Sequence, residues 1–503
     1  MTIHSASNFI AKNKKAVFLA ACICLLLAGV QSTSSSVQDS FDIVIRQGRV
    51  MDPESGRDEI ANVGIRGSHV AVITTQAIRG KKEIDATGLV VAPGFIDTLS
   101  PTKADRETHI QKVNDGVTTT FSMHGTCPLN PKDYDDQMQA TQPLLNYGCS
   151  IGDGDLRRAA GATDRYKPAT EEQIEKIRLL AGQAICGGAA GIGFAINVVP
   201  GASYEEVFAL FEVAAKYGVP AHVHARYKGN IFPQTMTVSV MEVLSAAAAT
   251  GAEVQLVHLT SSTVGSAPLS IRLIEGAARN GVRIGFDFHV WTRNEGPIQS
   301  AIYDEGWQDR FGGLSYDRVW VSNTQERLTK ERFEELRKRK EPILVQSDLI
   351  HESEIEMALR SPVGHITSDG GGLDEGKGHP RSVGTFARFL RLYIREKKIL
   401  PLMEGLRRIT LLPAQRLENG VSAMKKKGRL QEGSDADITV FDPATVRERA
   451  TYEEPSLHSE GIHFVLINGK LVLEKGSVSE KGSSGKWMRH VCSGTETSTR
   501  SSS

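Results

Sequence analysis

The chain has 503 residues, 40% of them apolar and 23% charged, and its 59 basic side chains are matched by 59 acidic ones. That length suits one large α/β domain with a smaller one beside it. Zero net charge argues against a nucleic-acid binder, and the absence of a GxxxxGK[ST] loop argues against nucleotide-driven chemistry.

Lys12, Lys14 and Lys15 precede an apolar run from Ala16 to Val30 and a small polar stretch from Gln31 to Ser36. Residues 1–36 therefore read as a signal peptide, and the chain as exported, periplasmic or secreted. The alternative is an uncleaved N-terminal membrane anchor, although the run is shorter than the ~20 residues a spanning helix needs. Residues 41–92 follow as short β-strands separated by Gly, Asp and Pro, and the same pattern returns over 420–475. Two β segments flanking a long α/β region predict a small β-sandwich built from both terminal segments, with residues 93–419 inserted between them. Residues 476–503, rich in Ser, Gly and Thr, read as a disordered tail.

Within the insert one unit recurs. Ser203 and Glu206 have capping-box spacing, Val207, Leu210, Phe211 and Ala214 share a helical face, and Gly218 stops the helix before the strand around Ala221-His222-Val223-His224. A helix near Ser239–Thr250 stops at Gly251 and leads to Val254–His258. Another, near Ile271–Asn280, stops at Gly281 and leads to Val282–Phe288. Gly364–Asp369 is a fourth polar strand tip. Alternating helices and strands with polar groups at the strand ends predict a (β/α)8 TIM barrel whose chemistry lies at its C-terminal mouth. A tip histidine taken alone is most simply a packing group. His222 lies deeper than His224 on the same strand face and is assigned that role. Cys22 and Cys24 lie in the leader, while Cys127, Cys149, Cys186 and Cys492 are far apart and are read singly, not as a disulfide scaffold.

Pro93-Gly94-Phe95-Ile96-Asp97, Gly116-Val117-Thr118-Thr119, His224-Ala225-Arg226, His258, Ser368-Asp369-Gly370, His379-Pro380-Arg381 and Ser434–Ile438 occur in that order. As a set they resemble the amidohydrolase superfamily, and within it the N-acyl-D-amino-acid deacylases (D-aminoacylases). The resemblance implies a zinc-dependent hydrolase of a linear amide C–N bond, with one zinc per chain held by His224 and His258 and completed by Cys127 or His124. It also implies Asp369 as the catalytic acid and base. Such a site has a physical logic, because zinc brings the pKa of bound water to roughly 7 and polarises a carbonyl, and a strand-end carboxylate moves the proton. Arg226 and Arg381 are candidates to fork onto a substrate carboxylate, the alternative being salt bridges within the loops. The implied partner is a small molecule, with no nucleic acid, and with a membrane contact only through an uncleaved N-terminus.

The chain departs from this pattern at the first strand, where Leu99 and Pro101 stand in place of the family's two histidines. Neither can ligate a metal. That loss supports a second reading, a degenerate barrel that binds without turnover. A third keeps catalysis and makes the substrate a cyclic amide.

Overall fold

The computed structural model describes residues 41–101, 103–479 and 482–492. The leader assigned to residues 1–36 lies outside them. Among the described residues no helix is long and apolar enough to cross a membrane.

The helix, stop and strand unit forms as the local signals predict. Ser203 caps the helix Tyr204–Tyr217 by accepting from the Glu206 amide, and Gly218 ends it in the left-handed conformation at φ 66°. Only half of the predicted capping box is made, because the Glu206 side chain turns inward to a buried ion pair with Arg157. The helices Met236–Thr250 and Ala267–Arg279 are followed by Gly251 at φ 72° and Gly281 at φ 89°.

Eight parallel strands form a nearly closed barrel: β1 (Phe95–Asp97), β2 (Val117–Cys127), β3 (Asn146–Gly152), β4 (Ile192–Ala195), β5 (Ala221–His224), β6 (Val254–Leu256), β7 (Ile284–Phe288) and β8 (Gly364–Ile366). They pair in sequence order from β1 to β8, and almost every residue in them is buried, as helix-covered parallel strands must be. Side chains join the two ends of the sheet. Thr98 Oγ1 lies 2.8 Å from His365 Nε2, and the Leu99 amide donates to Thr367 Oγ1 at 3.0 Å. Asp97 accepts from Thr367 Oγ1 at 2.7 Å, from the Ser368 amide at 2.9 Å and from Lys112 Nζ at 3.0 Å. Lys112, on the helix Arg106–Asn114, also donates to Ser368 Oγ at 2.7 Å. An ion pair with hydroxyl donors therefore sits at the seam, directly before Asp369.

The terminal segments meet in a nine-stranded sheet. Val90–Pro93 lies between Phe41–Asp52, which it pairs in parallel, and Ile438–Phe441, which it pairs antiparallel. Ile45, Val63, Ile65, Val91, Ile438 and Val440 share its separate apolar core. Val90–Pro93 then runs straight into β1 through Gly94, whose amide donates to Asp437 O at 2.8 Å. A Cβ at Gly94 would stand 2.2 Å from Thr118 Oγ1, so only glycine allows the two domains to join this closely.

Two expectations are corrected here. Residues 482–492 are not a disordered tail but run along β3: Met488 N donates to Tyr147 O at 2.7 Å, Tyr147 N donates to Lys486 O at 3.0 Å, and Met488 is buried. The cysteines also pair, Cys127 with Cys149 and Cys186 with Cys492. The second disulfide joins positions 306 apart in sequence and ties this strap to the end of the helix Glu171–Cys186.

Candidate active site

His224 ends β5, and His258 lies two residues beyond the end of β6. His124 comes from a bulge. Ser122 pairs with Cys149 and Cys127 with Ile151, so β2 loops outward between those positions. Gly125 within the bulge takes φ 86°, and Gly152 and Gly193 on the adjacent strands leave room for its backbone. Asp369 follows β8. His124, His224, His258, Asp369, Arg381 and Lys228 share a cavity of about 470 Å³ at the C-terminal strand ends.

His258 and Asp369 both hold left-handed backbone, at φ 34° and 54°. Non-glycine residues adopt this at a cost of roughly 1–2 kcal/mol, so the surrounding bonds must impose it. For His258 the anchor is its amide, which donates to Asp287 Oδ1 at 2.7 Å. For Asp369 it is the preceding Ser368, held by Asp97 and Lys112.

Hydrogen bonds also set the imidazole tautomers. Ser261 Oγ uses its proton on His258 O at 2.9 Å and so accepts from His258 Nδ1 at 2.8 Å. The lone pair of His258 is then on Nε2, which faces His224 Nδ1 at 2.8 Å. Burial pushes His258 down to about 3, and burial together with His258 and His124 holds His224 well below its ordinary value, so both rings are neutral. Two neutral nitrogens at this spacing, somewhat under the ~3.3 Å edge of a tetrahedron with Zn–N bonds of about 2.0–2.1 Å, fit a pair of metal ligands.

A third ligand is not in place. Cys127 cannot serve as a thiolate because it is bonded to Cys149, which removes one of the two expected candidates for the third ligand. His124 Nε2 instead meets Asp369 Oδ1 at 2.8 Å, and Asp369 Oδ2 accepts from Arg381 Nη1 at 2.6 Å. Among the described residues no group of three or more His, Cys, Asp or Glu is arranged to hold a metal ion. The buried His124 Nδ1 has no partner, so this ring has donor capacity left over. The first strand adds no donor to the His224 and His258 pair. There Leu99 is buried in an apolar cluster and Pro101 lines the cavity beside Gly371.

Burial alone would raise the Asp369 carboxyl, but Arg381 and His124 outweigh it and hold the group well below its ordinary value. Arg381 lines the cavity, where it pairs with Asp369 and, at 3.8 Å, with Glu295. Arg226 does not: its guanidinium forks onto Glu242 at 2.9 and 2.7 Å, donates to Ala202 O at 2.7 Å, and faces a neighbouring cavity. The salt-bridge alternative holds for it. His222 is fully buried with both ring nitrogens unpartnered, pushed down to about 3, and stays outside the site.

Sequence reasoning misses Lys228, Asn197 and Glu295. Lys228 follows the β5 tip by four residues, and extending the strand-tip search by one turn would find it. Glu295 belongs to a three-stranded insert, Arg293–Pro297 with Val319–Val321 and Leu344–Asp348, which has no local signature of a site.

Histidines and a carboxylate at the mouth of a parallel eight-stranded barrel, with a sheet domain built from the segments that flank it, are the arrangement of a β/α-barrel enzyme. The chain belongs to the amidohydrolase family, whose sequence profile, described as "Amidohydrolase family", matches residues 170–473. It is 28% identical to N-acyl-D-glutamate deacylase and 29% identical to D-aminoacylase, both of Alcaligenes xylosoxydans xylosoxydans, over 88% of this chain and 96% of each relative. The crystal structure of N-acyl-D-glutamate deacylase from Bordetella bronchiseptica, complexed with zinc and a phosphonate mimic of the tetrahedral intermediate, has the same fold. Its TM-score is 0.76 at 24% identity, with 90% of this chain and 100% of that one covered.

Proposed function

We propose that this chain is a metal-dependent hydrolase of a linear amide bond that removes the acyl group from an N-acyl-(D-)amino acid. The observation that carries the reading is the convergence of His224, His258, Asp369 and Arg381 in one cavity. The deacylase relatives support it. One zinc per chain would be held by His224 and His258, with His124 as the third ligand in place of Cys127. Bound there, zinc supplies a water acidified to about pKa 7 and a polarised carbonyl.

The chain's own groups account for the remaining steps. Asp369 accepts the proton of the attacking water as the new C–O bond forms. It delivers that proton to the amide nitrogen as the C–N bond breaks, leaving a carboxylic acid and a free amine. Arg381 has a double engagement, with Asp369 and, at 3.8 Å, with Glu295. The contact with Asp369 keeps that carboxylate ionised and in place to take up the proton.

The first test is zinc content of the full chain beside amine release from mixed N-acetyl-D-amino acids. About one zinc per chain, lost in His258→Ala together with turnover, is expected. Neither zinc nor turnover in the parent protein would sink the reading. The Cys127–Cys149 bond and the Leu99 and Pro101 positions favour the second reading, a barrel that binds without turnover, and that same outcome would select it.

Export is proposed from residues 1–36, and two disulfides support it because such bonds persist in oxidising compartments. Protein recovered from the exported fraction should show no free thiol at Cys127, Cys149, Cys186 or Cys492 under denaturing alkylation. Four alkylated thiols would remove the support from the disulfides, and protein confined to the cytoplasm would count against export.

A further inference from the structure

The cavity holding His224, His258 and Asp369 adjoins a second one of about 590 Å³, and Lys228, Asn197 and Ile302 line both. Tyr166, Tyr204, Tyr227 and Phe311 supply much of the second wall. Every other cation around the junction has its charge or its donors engaged. Arg381 meets Asp369 and Glu295, Lys103 pairs with Asp374, Arg226 is forked onto Glu242, and Arg310 donates to the carbonyls of Ile302, Asp304 and Glu305.

Lys228 differs. It is 6% exposed, yet its ammonium has a single long hydrogen bond, 3.4 Å to Ser261 O, and lies 5.8 Å from the centre of the Phe311 ring. Among the described residues no carboxylate pairs with it. The backbone beside it is fixed. Gly229 N donates to Ser262 O at 2.8 Å, Gly229 O accepts from Met236 N at 2.9 Å, and a Cβ at Gly229 would stand 2.1 Å from Arg310 O. Burying an ammonium without a counter-charge is costly, and an anionic ligand group would offset that cost. Burial pushes Lys228 down to about 8, which leaves it mostly charged at neutral pH. Asn197, which also lines both cavities, has a buried Oδ1 without a partner, an acceptor suited to a ligand N–H.

We propose that Lys228 is a specificity-determining residue that takes the carboxylate of the substrate at the junction of the two cavities, with Asn197 accepting an N–H beside it. The substrate would then lie across both cavities, its amide at Asp369 and its amino-acid side chain against the aromatic wall. This rests on the deacylase reading for the identity of the substrate, not for the role of the lysine.

The test uses the full chain and two probes with no acyl group to lose, D-leucine and D-leucinamide, titrated by calorimetry, with turnover of N-acetyl-D-leucine measured separately. D-Leucine should bind the parent protein about ten- to a hundredfold more tightly than D-leucinamide, a comparison that needs no variant. Lys228→Met should lose a similar factor for D-leucine, Lys228→Arg should recover most of it, and in turnover the Met variant should raise KM far more than it lowers kcat. Equal binding of the two probes, no measurable binding of D-leucine, or a Lys228→Met variant with unchanged affinity and KM would overturn the proposal. Turnover without dependence on Lys228 would leave the deacylase reading intact. Lys228-dependent binding of D-leucine without turnover would uphold the lysine's role and sink the deacylase reading.

Discussion

Asp369→Asn is expected to lower kcat/KM for an N-acyl amino acid by about 10²–10⁴-fold, the range in which a positioned acid and base contributes. The substitution keeps shape and removes the charge that takes up a proton. Asp369 is the group best placed for that work. It follows the last barrel strand, bonds His124 at 2.8 Å, and is held ionised by Arg381. Zinc content should persist in this variant if the metal rests on the histidines, which separates loss of proton transfer from loss of the centre. Steady-state kinetics, zinc analysis and a thermal melt on one preparation decide the matter. A folded, zinc-loaded variant within tenfold of the parent would remove Asp369 from the chemistry.

Lys112→Met should have the largest effect on stability, about 3–5 kcal/mol, because it leaves the buried Asp97 carboxylate without its counter-charge at the barrel seam. Lys112 and Asp97 are both almost wholly inaccessible. Burial alone would raise the Asp97 carboxyl, yet Lys112 and the donors from Ser368 and Thr367 hold it below its ordinary value. A carboxyl with a lowered folded pKa contributes stability that is fully present above its unfolded pKa of about 3.9. That contribution is lost as pH falls through the folded pKa. The parent protein should therefore keep this term at pH 7 and begin to lose it below about pH 4. Adding Asp97→Asn to Lys112→Met removes the stranded charge, so the double variant should recover part of the loss at pH 7. Urea unfolding at pH 7 and pH 3 measures both effects, and a change under about 0.5 kcal/mol in Lys112→Met at pH 7 would show that the seam does not depend on the pair. Because Ser368 bonds both groups and precedes Asp369, the same variant should also loosen the left-handed turn that presents the Asp369 carboxylate.

The strand tips are legible in the sequence because their signals are local. A helix-length apolar face, a glycine stop and a short buried strand together place His224 and His258 at the barrel mouth. Asp369, at the fourth polar tip, is also legible from residue type and position at a strand end. The departure at Leu99 and Pro101 is equally plain, since it needs only residue identity. Expectations fail where partners are distant in sequence. Cys127 is a plausible ligand until the β2 bulge, which leaves it opposite Ile151, brings its sulfur onto Cys149 of β3, and Arg226 until helix packing brings Glu242 against it. The tail misleads because its composition is polar on average, while a few backbone bonds and one disulfide order residues 482–492.

Local chemistry along the chain therefore dictates the alternation of helix and strand, the insertion of a barrel between two β segments, and which residue types could do chemistry at the strand ends. All of these depend on periodicity and capping within a span of some twenty residues. Tertiary packing alone settles which of those side chains are free to act. A thiol, a guanidinium or an ammonium is available or occupied according to the charge or sulfur that packing sets against it. Packing closes Cys127 with Cys149 and Arg226 with Glu242, and it leaves Lys228 buried at the junction of two cavities with no carboxylate paired to it among the described residues.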